Sequence, residues 1–187
     1  MNAAERTASL FGRHKAVIGM VHVGALPGTP RAVAPVRSLV ERAAVEARVL
    51  VAGGVDAVMI ENMHDRPYLR QGAGPEIVST MTAIAVAVRA TVHVPVGVQI
   101  LAGANREALA VALAARCSFI RVENFAYAHV ADEGLMPEAD AGPLLRYRRI
   151  IGADNIAVLA DVKKKHSSHA ITADVDIAEA AHTSEFF

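Results

Sequence analysis

Asp56-Ala57-Val58-Met59-Ile60-Glu61-Asn62 is a short apolar run that stops abruptly on two polar residues. Four consecutive apolar side chains suit a strand buried on both faces, as in a parallel sheet. The residues before it have a helical pattern. From Pro35, the positions Val36, Leu39, Val40, Ala43, Ala47, Leu50 and Val51 recur at spacings of three and four, and Gly53-Gly54 supplies a left-handed stop. The residues after it form a loop from Met63 to Gly74. Pro75 then suits the first turn of a second helix, whose buried stripe is predicted as Ile77, Met81, Ile84, Ala85 and Val88.

The same strand-and-helix unit recurs outward in both directions. Ala16–Val21 is an apolar run ending at His22 and followed by the turn-rich stretch Gly24–Pro30. Val96–Leu101 is a third predicted strand, and Asn105 is expected to cap the helix after it, with Glu107 favouring the helix dipole. Phe119–Val122 closes on Glu123-Asn124; after a long loop, Asp140–Ile151 is predicted helical, with Arg146, Arg148 and Arg149 toward its end and Gly152 as its stop. Ile156–Val162 is the fifth strand, leading into Asp161-Val162-Lys163-Lys164-Lys165-His166. From Asp174 a fifth helix is expected, with Ile177, Ala180 and Ala181 on one face.

Alternating strands and amphipathic helices imply an α/β fold with a parallel sheet, because each parallel pair needs a crossover. Two architectures compete. A doubly wound sheet carries a glycine-rich phosphate turn after its first strand, whereas a barrel spreads polar residues over every strand end. Here all five strands end in polar residues, which favours a barrel.

Bulk composition narrows the function classes. The 187 residues are 53% hydrophobic and 20% charged, too apolar for a disordered chain. Lys and Arg number 19, as do Asp and Glu, so there is no basic excess to release counterions from nucleic acid or to hold an anionic membrane. Cys117 is the single cysteine, which excludes an internal disulfide and a thiolate zinc cluster and suits a reducing cytoplasm. It falls away from the polar strand ends and is expected to be packed core. Residues 1–15 are expected to form an arm, whose Glu5, Arg6, Arg13, His14 and Lys15 leave no secretory apolar core. Ile77–Val88, the most apolar run, is closed by Arg89 and falls short of the roughly 20 residues of a spanning helix. No transmembrane segment is expected, and residues 16–187 are expected to form the α/β domain.

The candidate chemistry lies at the strand ends: His22, Glu61-Asn62, Gln99, Arg121 with Glu123, and Asp161 with Lys163. On a period of two, Met20 and His22 share a side, as do Met59 and Glu61, Arg121 and Glu123, and Asp161 and Lys163. All can therefore project into one mouth, and in barrels that rim carries the active site. Any one of them alone could merely cap a strand in water; their recurrence on five strands argues for a site. Asp161 and Lys163 are the candidate acid and base, since mutual charge and burial shift their proton affinities, and a structural ion pair is the rival reading. His22, Glu61, Asn62, Gln99, Arg121, Glu123 and His166 are candidate substrate-binding residues. His22, Glu61, Glu123 and Asp161 could alternatively converge on a divalent cation, although no short-spaced ligand motif supports one. Lys163-Lys164-Lys165-His166 is a solvated loop or a holder of phosphate or carboxylate. The scattered His64, His93, His129, His169 and His182 are assigned no role.

Ordered motifs along the chain resemble a known family. Gly19-Met20-Val21-His22, Leu26-Pro27-Gly28, Gly54-Val55-Asp56-Ala57, Glu61-Asn62, Pro95-Val96-Gly97-Val98-Gln99, Phe119-Ile120-Arg121-Val122-Glu123-Asn124, Ala131-Asp132-Glu133-Gly134-Leu135 and the run Ala160–His169 are similar to the BtpA (BtpA/SgcQ) family. The resemblance covers nearly everything from Val17 onward. It implies a TIM barrel of the ribulose-phosphate-binding type, in a family named for a role in photosystem I assembly whose members also occur where no photosystem exists.

The resemblance also implies three further strands, while this sequence stops inside its fifth helix, so about five βα units of a barrel truncated at its C-terminus are expected. The loops after strands seven and eight, which usually hold phosphate in such barrels, are then absent. An open sheet would expose an edge and invite homo-oligomer formation. The leading expectation is an enzyme, or the remnant of one, acting on a small phosphorylated or carbohydrate-like metabolite. The rival is a non-catalytic assembly or stability factor, which would bind a protein complex and have no substrate.

Overall fold

The structure, a computed structural model, describes residues 3–187. Its elements run α1 (Ala3–Phe11), β1 (Ile18–His22), α2 (Val36–Ala52), β2 (Ala57–Glu61), α3 (Pro75–Thr91), β3 (Val96–Gln99), α4 (Asn105–Ala114), β4 (Phe119–Val122), β5 (His129–Ala131), β6 (Gly134–Met136), α5 (Ala141–Ile150), β7 (Ala157–Ala160), β8 (Ser167–Ser168) and α6 (Ile177–Phe186). A short 3₁₀ turn, Ala170–Thr172, precedes α6.

Strands β1, β2, β3, β4 and β7 form one parallel sheet in that order. Sequential order matters physically. Right-handed crossovers that always step to the next strand place every helix on the same side, with none of the reversal that defines a doubly wound sheet. On the covered face, Val21, Val58, Ile60, Val96, Val98, Ile120 and Val122 pack with Leu39, Met81, Ile84, Val88, Leu109 and Leu144 in one buried core. The α3 stripe Ile77, Met81, Ile84, Ala85 and Val88 is buried as its spacing predicts. Burying such a side chain stabilises the fold by about 1.5–3 kcal/mol each, which is what fixes the helices on this face. Among the described residues the architecture is α/β with a five-stranded parallel sheet and six α-helices, consistent with part of a TIM-like barrel.

The opposite face carries a second apolar layer nearer the strand N-termini. Ala57, Met59 and Phe119 are buried there, with Ile18, Met20, Ala157 and Leu159 around them. The expected N-terminal arm contributes to this layer. Leu10 and Phe11 of α1 pack against it, the Phe11 ring standing edge-on to Phe119 with centroids 5.3 Å apart. Asp56 ties the arm down, accepting from the Val17 N–H at 2.8 Å and pairing with Arg13 at 3.1 Å.

Several expectations are corrected at element ends. Asn105 is not a cap but the first residue of α4; its amide donates to the Glu123 carbonyl at 2.9 Å and to Asp140 Oδ2 at 2.7 Å, so it joins two loops instead. The third and fifth strands stop at Gln99 and Ala160, earlier than their apolar runs suggest. The last helix starts at Ile177, capped by Asp176, whose Oδ1 accepts from the Glu179 N–H at 2.8 Å. Of its predicted face only Ala180 is buried, while Ile177 and Ala181 are exposed. The long loop after β4 is not irregular: β5 and β6 form a hairpin, and β8 joins β5 to make a small antiparallel sheet beside the strand ends. Among the described residues, no helix is long and apolar enough to cross a membrane.

Candidate functional site

Register builds the site. His22 pairs with Glu61 and Glu61 with Gln99, so three polar residues stand in a row across β1, β2 and β3 above the apolar layer. Alternation aims them at the face the helices leave uncovered. His22 Nε2 lies 3.1 Å from Glu61 Oε2, and Arg121 Nη1 lies 4.0 Å from Glu61 Oε1. Arg121 then grips Asp161 with two parallel bonds, Nε to Oδ1 at 2.7 Å and Nη2 to Oδ2 at 3.0 Å. His22, Glu61, Arg121 and Asp161 thus form one continuous charged chain over the strand ends.

Burial tunes this chain. Glu61 is only 7% exposed, and desolvation raises its carboxyl above the usual range despite the opposing pull of His22 and Arg121; Glu123 and Asp161 add to the rise. The bidentate bond to Asp161 holds Arg121 more firmly protonated, against the effect of burial. Gln99 is 2% exposed, and neither atom of its carboxamide has a hydrogen-bond partner. An orphaned buried amide costs roughly 1–3 kcal/mol, so its retention at the β3 end of the row needs a reason.

Glu123 stands one step further out. Its Oε1 accepts from Lys164 Nζ at 3.0 Å, both side chains being largely buried, while Oε2 is unpartnered. The expected partnership of Asp161 with Lys163 does not form. The strand ends at Ala160, and Lys163 sits at φ +47°, which breaks the alternation that would have put it beside Asp161. Lys163 Nζ donates instead to the Thr172 carbonyl at 3.2 Å, and Lys164 takes the inward position.

Two other candidates are placed apart from this group. Asn62 spends both ends of its amide on loops: Oδ1 accepts from the Leu101 N–H at 2.7 Å and Nδ2 donates to Asp65 Oδ2 at 2.8 Å. Asp65 Oδ1 in turn accepts from the Leu26 N–H at 2.7 Å, so Asn62 and Asp65 knot together the loops that follow β1, β2 and β3. His166 lies exposed on the loop after β7. Cys117 is packed in the main core, as expected, and burial pushes its thiol up to about 12. The four residues weighed as cation ligands are turned to partners instead: His22 to Glu61, Glu123 to Lys164 and Asp161 to Arg121. Among the described residues, no three or more His, Cys, Asp or Glu side chains gather as a metal-binding group.

The sequence pattern gives His129 and His169 no role, yet the small sheet brings them together. Val130 pairs with Ser168 across β5 and β8, which sets the two rings 5.8 Å apart, and a ring nitrogen of His169 lies 3.1 Å from the Lys164 carbonyl. His129 is 5% exposed with Nε2 unpartnered. Burial, then the charge of Lys164 and the neighbouring His169, push it down to about 4. No sequence spacing could have found this pair, since 40 residues and a hairpin of unrecognised register separate them.

A family model described as the BtpA family matches residues 13–184 of the chain. An uncharacterized mitochondrial protein of Caenorhabditis elegans is 49% identical over 175 residues, which cover 91% of this chain and 63% of that protein. The photosystem I biogenesis protein BtpA of Synechocystis sp. is 41% identical over 157 residues, 84% of this chain and 54% of that protein. An uncharacterized protein of Archaeoglobus fulgidus is 35% identical over 155 residues, 83% of this chain and 61% of that protein. The chain therefore spans between about half and two thirds of the length of these relatives.

Proposed function

The chain belongs to the BtpA family, and from that premise we propose that its uncovered strand ends are a small-molecule site of an enzyme acting on a phosphorylated or carbohydrate-like metabolite. The observation that carries this reading is the buried Gln99 carboxamide, unpartnered at the β3 end of a row that includes a carboxyl of raised proton affinity. A ligand seated over the row supplies the missing hydrogen bonds once the side chains covering this amide give way to it. Residues 16–187 are then part of a barrel of the ribulose-phosphate-binding type, preceded by the arm 1–15. The strands that complete such a barrel fall in the part of the relatives that this chain does not span.

Roles follow from the contacts. Glu61 and His22 are hydrogen-bonded at the ligand end of the chain and serve as the proton-transferring pair, a carboxyl whose proton affinity is raised by burial being better suited than an ordinary one to take up and return a proton. Asp161 orients Arg121, which with Lys163 and Lys164 balances the charge of an anionic group. This moves the acid–base work away from Asp161 and Lys163, whose side chains are engaged with Arg121 and the Thr172 carbonyl. The cytoplasm is the compartment of this reading, and self-association along the edge strands β1 and β7 its oligomeric form.

A second reading is favoured by the printed name of the Synechocystis relative, photosystem I biogenesis protein. A non-catalytic assembly factor would bind its partner through the outer faces and be indifferent to Glu61 and Gln99. Thermal unfolding separates the two, because a ligand that binds only the folded state raises its stability, by about 2.7 kcal/mol at a hundredfold excess over Kd. Against sugar phosphates, free sugars, inorganic phosphate and divalent cations, one class is expected to stabilise the wild-type chain. That shift is expected to vanish in Glu61→Gln and Gln99→Leu, both of which should unfold no earlier than wild type without ligand. Equal shifts in all three proteins, or none from any compound, would contradict the enzyme reading.

A further inference from the structure

A groove of about 210 Å³ lies among the loops that follow β1, β2 and β3, many times the room one water needs. Pro30, Pro67, Leu69, Ile77 and Leu101 make its lining chiefly apolar, and its polar side chains are Thr29, Asn62, Asp65 and Glu76. It is distinct from the charged row, since His22, Glu61 and Gln99 take no part in the lining.

The polar groups that remain available are acceptors. Thr29 spends its hydroxyl hydrogen on the Leu26 carbonyl at 2.8 Å, which leaves oxygen lone pairs. Asn62 and Asp65 are engaged with each other and with the Leu101 and Leu26 N–H groups. Glu76 bonds through its main-chain carbonyl, which accepts from Ser79 and Thr80; among the described residues its carboxylate has no partner. The place of that carboxylate is nevertheless set. A Cβ on Gly28 would stand 2.9 Å from Glu76 Cγ and 3.1 Å from Oε1, and one on Gly74 closer still to Oε1, so the side chain lies between two glycines. Gly28 also has φ +90°, so the Leu26-Pro27-Gly28 motif makes the left-handed turn that leaves this space. Lying over Gly74, the residue before α3, the carboxylate meets the positive end of that helix. An anion entering the groove would face Glu76 and Asp65, with no lysine or arginine among the described lining residues to offset them.

We propose that this groove binds a small organic cation, a primary ammonium on a short alkyl stem, with Glu76 and the Thr29 oxygen receiving its hydrogens and the apolar walls taking the stem. Charge complementarity selects the ammonium, and burial against Leu69, Ile77 and Leu101 selects the stem. The groove stands at the strand C-termini, the end at which parallel α/β sheets receive small ligands, which favours a free amine over a lysine side chain of a partner protein. The site is independent of the row: it needs neither a ligand beside Gln99 nor catalysis.

The test titrates pentylammonium, pentanol and hexanoate, which share a pentyl stem, into the full chain and follows the backbone amide resonances of Thr29, Gly72 and Ala73. Wild type is expected to bind pentylammonium about tenfold more tightly than pentanol, the worth of one charge-assisted hydrogen bond, and hexanoate more weakly than either. Glu76 is exposed, so Glu76→Gln is expected to fold as wild type does, and to bring pentylammonium down to the affinity of pentanol while pentanol is unaffected. Leu69 is also exposed, and Leu69→Ala is expected to weaken amine and alcohol alike by thinning the apolar wall. Equal binding of amine and alcohol by wild type, a preference that survives Glu76→Gln, or affinities untouched by Leu69→Ala would each overturn the proposal. A short lysine-containing peptide that binds more tightly than pentylammonium would overturn the small-molecule assignment and give the groove to a protein partner.

Discussion

Replacing Gly97 with alanine is expected to destabilise the chain by about 3 kcal/mol, a fall of roughly 10 °C in Tm for a chain of this length. Gly97 and Phe119 are register partners on β3 and β4, and a Cβ at residue 97 would stand 2.2 Å from Phe119 Cε2 and 2.5 Å from Cδ2 and Cζ. The ring has nowhere to go. Phe119 is fully buried, clustered with Ala57, Met59, Ala157 and Leu159 and closed from beneath by the edge of Phe11. Relief must therefore come from the sheet itself, by spreading β3 from β4, which would also displace Gln99 two residues on. The double variant Gly97→Ala with Phe119→Leu is expected to recover much of the loss, because the smaller side chain vacates the space. Calorimetric unfolding checks both, and an unchanged Tm in Gly97→Ala would show that the apolar layer is looser than described.

Arg121→Met is expected to cost a similar amount, about 3 kcal/mol, for an electrostatic reason. Arg121 holds Asp161 with two bonds and stands 4.0 Å from Glu61, and those carboxylates have side-chain exposures of 15% and 9%. Removing one member of a mostly buried pair leaves the other charge without compensation, which costs far more than the pair contributes net. Two features distinguish this loss from simple misfolding. Adding Asp161→Asn should restore part of it, giving a favourable coupling between the two sites in a double-mutant cycle. The pH dependence is also signed. Glu61 already binds its proton more tightly in the fold than when unfolded, and loss of Arg121 increases that difference. A raised carboxyl costs stability while ionised and stops costing it once protonated, so the deficit of Arg121→Met should narrow as pH falls through the Glu61 titration range. A deficit independent of pH, with no coupling to Asp161, would contradict this account.

The strands and main helices were legible because each obeys one simple period. Val58 and Ile60 face the helices, Met59 and Glu61 face the other way, and the apolar run stops where the polar row begins. The polar strand ends were legible for the same reason, and His22, Glu61, Gln99, Arg121 and Asp161 do stand together. Legibility ended where the period ended. Alternation carried past Ala160 predicts Lys163 beside Asp161, but its positive φ turns the chain and gives Lys164 the inward place. Asn62 shared a strand end with Glu61 but follows it by one residue, so the same alternation sends it to the loops. The hairpin that carries His129 is too short, at three residues a strand, to show a pattern, and its third strand comes from a segment more than 30 residues away. The arm's contribution was missed because Leu10 and Phe11 form too small an apolar face to stand out against five charged or ionisable neighbours.

A small molecule seated in the row formed by His22, Glu61 and Gln99, as proposed, is expected to be felt at Gln99. The most direct measurement follows the side-chain amide resonances of Gln99 while the most stabilising compound of the thermal panel is titrated into the full chain. Because that carboxamide is buried in the row, a ligand seated there changes its surroundings, and its two N–H resonances are expected to shift along a curve with the same Kd as the thermal effect. If they stay still while resonances around Thr29, Gly72 and Ala73 in the outer loop groove move instead, the ligand binds elsewhere and the account of the site is wrong.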